Sequence, residues 1–363
     1  MLTPGRLSLA RKRKGLTKKG FAEALGVTPH TVLRYESGEI SPPVETLERI
    51  ARILNFPVAF FCAPDVDEIV SDAASFRSLT SMTAKDRDAA LAAGTLAYLF
   101  SDWVDQNFTL PEVSLVDLKN ENPEIAARSL RQEWGLGEQP IKNMVHLLEA
   151  KGVRVFSLAE NTRTVDAFSV WRGVRPFVFL NTMKTAEHSR FDAAHELGHL
   201  VLHRHGGPSG RRAEDEANRF ASSFLMPAAD VIARVPRVHT LNQIIEAKKR
   251  WAVSVMALIY RLHTLNIVSD WQYRMFCIQA SDHGYRTSEP FGVPKEQSVV
   301  WHKVLTALWN ERITKKEIAE RLSVPTSEIE NLLFGLAGLI PNDNDRIKSS
   351  GLRLVSGSSR EGR

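Results

Sequence analysis

Two cysteines, Cys62 and Cys277, are all that the 363 residues contain. They cannot build a disulfide framework or a cysteine-rich metal site. Long apolar runs are missing too. The longest nearly uncharged stretch, Ala89 to Phe100, is closed off by Asp88 and Asp102. It falls short of the about 20 apolar residues that a bilayer span requires. The start of the chain lacks the apolar core of a secretion signal, because Arg6, Arg11, Lys12, Arg13 and Lys14 interrupt it. The expectation is a cytoplasmic protein with no membrane partner. Hydrophobic residues at 43% and charged residues at 25% exclude a disordered or fibrous chain. The length allows about two to four domains. A net charge of +5 is small enough that its placement matters more than its total.

That placement is uneven. Arg6, Arg11, Lys12, Arg13, Lys14, Lys18 and Lys19 follow one another with no acidic residue between them. Helical signals recur through this region with short breaks. Thr17 is an N-cap candidate, with Phe21, Ala22 and Leu25 at helical spacing and Gly26 as the stop. Thr28-Pro29 opens the next helix as a cap plus a first-turn proline. Pro42-Pro43 opens another. Residues 1–64 are therefore expected to form a compact all-α domain. Residues 65–119 are read as a linker and a brace helix over Ala84–Gln106. Residues 120–290 form a central domain, in which Val153–Leu158, Ala167–Trp171 and Pro176–Asn181 have the β-branched and aromatic character of short strands. They predict a small antiparallel sheet among helices. Residues 291–341 are helical, and 342–363, rich in Ser and Gly, are expected to be a disordered tail. The fold class is α+β, mostly α.

The spacing in the first domain suits helix-turn-helix recognition, in which a first helix touches the backbone and the second reaches base edges. Thr28, His30, Thr31 and Arg34 stand where bases are read. Thr17, Lys18 and Lys19 stand where phosphate contacts are expected. The expected partner is double-stranded DNA, with a palindromic site read by a homodimer. A weak internal repeat pairs Thr17–Val27 with Thr314–Val324. In the second copy Glu328 and Glu330 replace Thr31 and Leu33, and two carboxylates there would repel phosphate. That copy is read as a structural hairpin.

His195-Glu196-Leu197-Gly198-His199 is an HExxH motif. On an α-helix, residues i and i+4 share a face, so two imidazoles can hold one tetrahedral zinc ion. Glu196 is turned off that face by about 100°. It is placed to take a proton from the water in the open position and pass it to a leaving amine, as a general base. A third ligand is needed. Glu214 lies on a second amphipathic helix, with Asn218 one turn on to orient a ligand. Glu216 is the rival ligand, but the ExxA[DN] form favours Glu214. The ligand set His195, His199 and Glu214 suits Zn2+, and also Mn2+ or Fe2+. His203, four residues past His199, could extend the metal face. Without a paired acid in the right frame it is read as a surface or supporting residue. Trp251, Trp271, Tyr273 and Phe276 are expected in the core, and Tyr285 could approach a substrate.

The set Leu16-Thr17, Phe21-Ala22, Leu25-Gly26-Val27, Val32 and Tyr35-Glu36-Ser37-Gly38 resembles the XRE family of Cro/CI-type helix-turn-helix regulators. The set Arg190-Phe191, Ala194–Leu200, Glu214, Glu216-Ala217-Asn218, Phe220-Ala221 and Leu225-Met226-Pro227 resembles the ImmA/IrrE family of metallo-endopeptidases. So do Asn181 and Arg250-Trp251-x-Val253-Ser254. The second resemblance implies a gluzincin-like fold and proteolysis of a repressor-type protein substrate in a stress, mobile-element or toxin–antitoxin setting. The alternative is a non-proteolytic DNA-binding regulator or antitoxin, whose metallopeptidase fold senses a signal or binds a partner.

Overall fold

The computed structural model describes residues 2–69, 83–158, 167–204 and 210–337. The 342–363 tail and most of the expected linker lie outside the described residues. The first region folds as α1 (Pro4–Arg13), α2 (Lys18–Leu25), α3 (Pro29–Glu36), α4 (Val44–Leu54) and α5 (Val58–Cys62). Its boundaries follow the caps. Thr17 Oγ1 accepts from the Gly20 amide, Thr28 Oγ1 accepts from the Thr31 amide, and Gly26 closes α2 in the left-handed conformation. An L side chain is disfavoured at that φ, so glycine ends the helix at little cost.

The brace helix α6 (Ala84–Asn107) and α9 (Ala186–Leu202) sandwich a sheet of β1 (Arg154–Ser157), β2 (Ala167–Arg172) and β3 (Arg175–Leu180). The strand order is β1-β3-β2. β2 and β3 are antiparallel, as expected, but β1 runs parallel to β3, so the sheet is mixed rather than antiparallel. The cause is the position of β3, which returns from β2 into the middle of the sheet instead of extending its edge. Strand alternation then assigns the faces. Phe156, Phe168, Phe177 and Phe179 stack with one another, and Tyr98 and Phe100 of α6 meet Phe177 and Phe156. The opposite face presents Ser169 and Trp171 to α9, where Ser169 Oγ donates to Glu196 and Trp171 Nε1 donates to the Leu200 carbonyl.

Buried apolar side chains from residues 2 to 336 form one contiguous core. The N-terminal helices are thus not a detached bead: α1 packs along α6. The basic run is correspondingly less available than its sequence suggests. Arg6 donates to the Pro64 carbonyl and lies over the Phe60 ring. Arg11 pairs with Glu36, and Lys12 with Glu68. Arg13 and Lys14 both reach Glu328, at 2.7 and 3.3 Å. Lys18 and Lys19 remain exposed, Lys18 with Glu36 3.6 Å away.

Glu328 belongs to the internal repeat, which is a structural repeat as well. α16 (Lys315–Leu322) and α17 (Thr326–Leu333) are joined at Ser323, left-handed like Gly26. Phosphate repulsion by two exposed carboxylates is therefore only half right. Glu330 is exposed, but Glu328 is buried against α1. Trp271 also departs from expectation, at 70% exposed, whereas Trp251 and Phe276 are core residues.

The Arg13–Glu328 side chains are 7% and 5% exposed. Neutralising Glu328 takes the carboxylate from two cations, Arg13 and Lys14, and breaking a buried pair costs on the order of 3–5 kcal/mol. Glu328→Gln should therefore lower stability by about that range in a denaturation curve, far more than Glu330→Gln. Equal small effects would place the pair in solvent.

Candidate metal centre and nucleic-acid face

α9 carries the HExxH residues and α10 (Arg211–Leu225) the downstream acids. The two helices touch closely because position 198 is glycine. A Cβ there would stand 3.0 Å from the Phe220 ring and 3.3 Å from Ala217 Cα. The close approach brings Glu214 beneath the two histidines. His195 Nε2 and His199 Nε2 are 3.1 Å apart. Glu214 Oε2 is 3.2 Å from the first, and Oε1 is 3.4 Å from the second. Donors about 2.0–2.1 Å from a tetrahedral zinc ion are spaced roughly 3.3 Å apart.

The donor chemistry fits such an ion. Glu214 Oε2 is buried with no hydrogen-bond partner, although an imidazole nitrogen lies within reach. A carboxylate and two imidazole nitrogens gathered this closely can turn their lone pairs toward one shared ion. Burial alone would raise the Glu214 pKa, but the flanking imidazoles outweigh it and hold the carboxyl down to about 2. Burial pushes His199 down to about 4, so its ring is neutral near pH 7. Burial also opposes protonation of His195, but Glu214, Glu196 and Asp192 overcome it and raise its pKa.

Asn218 Oδ1 lies 3.0 Å from His195 Nδ1. A proton donated there leaves Nε2 for the ion. Glu216 faces elsewhere, 3.1 Å from His203 Nε2 and 3.0 Å from Arg212 Nε. His203 does have a paired acid, contrary to the sequence expectation, because the partner comes from the neighbouring helix. Glu196 is buried, and Ser169 Oγ donates to its Oε2 at 2.7 Å. Sequence reasoning missed Ser169. The available signal was a lone hydroxyl in an otherwise apolar strand, Ala167-Phe-Ser-Val-Trp171. Arg190, part of the quoted motif, is structural: it grips the Ile141 carbonyl and Glu296, which caps the helix starting at Met144. A cleft of about 800 Å3 opens beside Asn218 and Phe191, with Tyr260, Tyr285 and Arg286 on its walls.

In the N-terminal region, His30, Leu33, Arg34 and Ser37 point out from one face of α3. Thr28 and Thr31 are at its first turn, their hydroxyls 2.9 Å apart. Arg34 pairs with Glu39 at 2.8 Å. Leu33, 45% exposed, was missed by sequence reasoning, and periodicity from His30 would have found it.

Comparison with known proteins agrees with both halves. Residues 148–263 match the IrrE N-terminal-like domain of peptidase family M78, and residues 7–61 match the helix-turn-helix model. The chain therefore joins a helix-turn-helix domain of the XRE type to an M78-type domain. It is also similar to HTH-type transcriptional regulators of Sinorhizobium medicae (strain WSM419) and Rhizobium meliloti (strain 1021). Each is 36% identical over 56 residues, which is 15% of this chain and 40% of the relative. The chain thus spans less than half the length of these relatives. Among the described residues, no helix is long and apolar enough to cross a membrane.

The geometry sets an expectation for metal binding. Glu214→Gln should abolish stoichiometric binding of zinc by the purified chain, while Glu216→Gln stays within about tenfold of wild type. Gly198→Val should also weaken binding, because its side chain forces α10 away from α9. Retention by Glu214→Gln together with loss by Glu216→Gln would reverse the choice of third ligand.

Proposed function

We propose that this chain is a DNA-binding transcriptional regulator that carries a zinc-dependent endopeptidase. The carrying observation is the convergence of His195, His199 and Glu214 beside a buried Glu196, on a chain whose α3 turns a polar face outward. His195, His199 and Glu214 would hold the ion. When bound, such an ion would supply Lewis acidity for a scissile carbonyl and for a water. Glu196 is placed to take a proton from water and pass it to the leaving amine nitrogen. The Ser169 hydroxyl keeps the Glu196 carboxylate aimed, through its 2.7 Å hydrogen bond. Asn218 sets the His195 tautomer. β2 stands at the edge of the described sheet and lies against α9, which suits an extended substrate added as a further strand. The resemblance to ImmA/IrrE peptidases makes a helix-turn-helix repressor the substrate we favour. Mn2+ and Fe2+ fit the same donors.

Double-stranded DNA is the second partner, with Thr28, His30, Thr31 and Arg34 at the bases and Thr17, Lys18 and Lys19 at phosphates. A homodimer on a palindromic site is the expected assembly. The alternative is a regulator without proteolysis, in which the M78-type domain senses a signal. The buried Arg13–Glu328 contact favours it, because it ties the DNA-reading helices mechanically to the rest of the chain.

Two measurements test these assignments. Glu196→Gln should keep the ion and lose cleavage of repressor proteins encoded nearby, because an amide cannot accept the proton. Undiminished cleavage by Glu196→Gln removes Glu196 as the base, and a wild type with metal bound that cleaves none of them supports the sensing alternative. For DNA, Lys18→Gln/Lys19→Gln in the full chain should flatten the slope of log affinity against log salt by about 2 per bound protomer, about 4 for a dimer. An unchanged slope would shift the phosphate contacts elsewhere. Arg34→Ala should cost about 1–3 kcal/mol on the preferred site if it reads a guanine.

A further inference from the structure

Outside the ion's own donors, a directed chain of hydrogen bonds leaves His199. Its Nδ1 is 3.0 Å from His203 Nδ1. The far nitrogen of His203, Nε2, is 3.1 Å from Glu216 Oε2. Glu216 Oε1 in turn accepts from Arg212 Nε at 3.0 Å. The His203 side chain is 9% exposed and Glu216 21%, so the contacts from His199 to Glu216 lie mostly out of water, while Arg212 closes the chain at the surface.

Only one proton arrangement satisfies every contact with neutral rings. A metal-binding Nε2 on His199 must carry a lone pair, so its proton is on Nδ1. That proton can be donated only if His203 Nδ1 accepts. His203 then carries its own proton on Nε2 and donates it to the Glu216 carboxylate. We infer that His203 is a positioning residue for the metal centre: with Glu216 it forms a relay that fixes the ring angle and tautomer of His199. The inference rests on the metal reading above and extends it to residues that hold no ion themselves.

The two histidine ligands are then supported in different ways. His195 leans on the neutral amide of Asn218. His199 leans on a carboxylate, conveyed through a second imidazole. Hydrogen bonding to an acceptor raises ligand basicity, most when the acceptor chain ends in charge. Asn218 and Glu216 both come from α10, as does Glu214. His203 is the one member of the relay that neither lies on α10 nor is itself a ligand. It caps the end of α9, where its amide still bonds to the His199 carbonyl, so its side chain lies one turn beyond the motif. It is not a further ligand in this arrangement, because one ring nitrogen faces His199 and the other faces Glu216.

The test is zinc affinity of the full chain by chelator competition, with Co2+ absorption as the spectroscopic readout and melting of the metal-free protein as the fold control. His203→Phe keeps a ring but loses both nitrogens. It should weaken zinc binding by about 10–100-fold and change the Co2+ spectrum, with metal-free melting little altered. His203→Asn offers an amide oxygen near the position of Nδ1 and should recover most of the loss. Glu216→Ala, at a more exposed site, tests the outer end even if the phenylalanine variant fails to fold; it should also weaken zinc binding. Wild-type affinity in both His203→Phe and Glu216→Ala would overturn the relay while leaving the metal site standing. A His203→Asn variant as weak as His203→Phe would also overturn it. A wild-type chain that binds no zinc overturns the metal reading, and the relay with it.

Discussion

The contact between α9 and α10 at Gly198 governs the geometry of the candidate centre. Without a side chain at this position, the backbone of one helix rests against Ala217 and the Phe220 ring of the other. Every distance from α9 to the acids and amide of α10 depends on that separation. Glu214 reaches both imidazoles, Asn218 reaches the back of one of them, and Glu216 reaches the histidine beyond. Even an added Cβ would press on Phe220 at 3.0 Å and push the helices apart, while donor atoms around a small ion tolerate only about 0.2 Å. The Gly198 requirement is therefore chemical as well as steric. The sheet then fixes the other coordinate of the site. Because its pleat sends Phe168 toward α6 and Ser169 toward α9, the hydroxyl meets Glu196 and the aromatic rings stay in the core.

Charge in this chain is used mainly from within. A run of seven basic residues reads, as sequence, like an electrostatic handle for nucleic acid. In the fold, Arg11, Arg13 and Lys14 are engaged by Glu36 and Glu328, and Arg6 by a carbonyl. The physical reason is the enclosure of α1, which packs on α6, α3 and α5 while Glu328 of α17 reaches its end. A helix buried along one side must pair the cations on that side, since an unpaired buried charge costs several kcal/mol. What remains exposed is Lys18 and Lys19, at the start of α2, where a phosphate would meet both the side chains and the helix N-terminus.

Much of the fold was legible because it depends on local rules. Thr17, Gly26, Thr28 and Pro29 mark helix ends by their own chemistry, and the period of Ala84–Gln106 marks the brace to within a residue of its observed end. The spacing of His195 and His199 is likewise a property of a single helix. Pairings across elements were not legible. That β1 lies parallel to β3, that Ser169 faces Glu196, and that Glu216 meets His203 are facts of tertiary register, and no local pattern encodes them. Trp271 shows the reverse error: hydrophobicity suggests burial, but the N-terminal turn of its helix projects it into solvent.

The two copies of the helix pair show how one position can redirect a shared form. Both copies turn through a left-handed residue, Gly26 or Ser323, and both begin the first helix on a threonine cap. In the first copy the residue three beyond the second cap position is Thr31, whose hydroxyl lies beside that of Thr28 near the exposed start of α3. In the second it is Glu328, whose carboxylate receives Arg13, the last residue of α1, and Lys14 just after it. A hydroxyl at that place can face either solvent or a base edge at little cost. A carboxylate there would oppose phosphate, but it can anchor two cations when buried. The same hairpin thus serves as a candidate reader at one end of the chain and as the dock for that reader at the other. Any motion that separates α1 from α17 must first break the contacts of Glu328 with Arg13 and Lys14, and that cost links the position of the helix-turn-helix to the body that carries the candidate metal ligands.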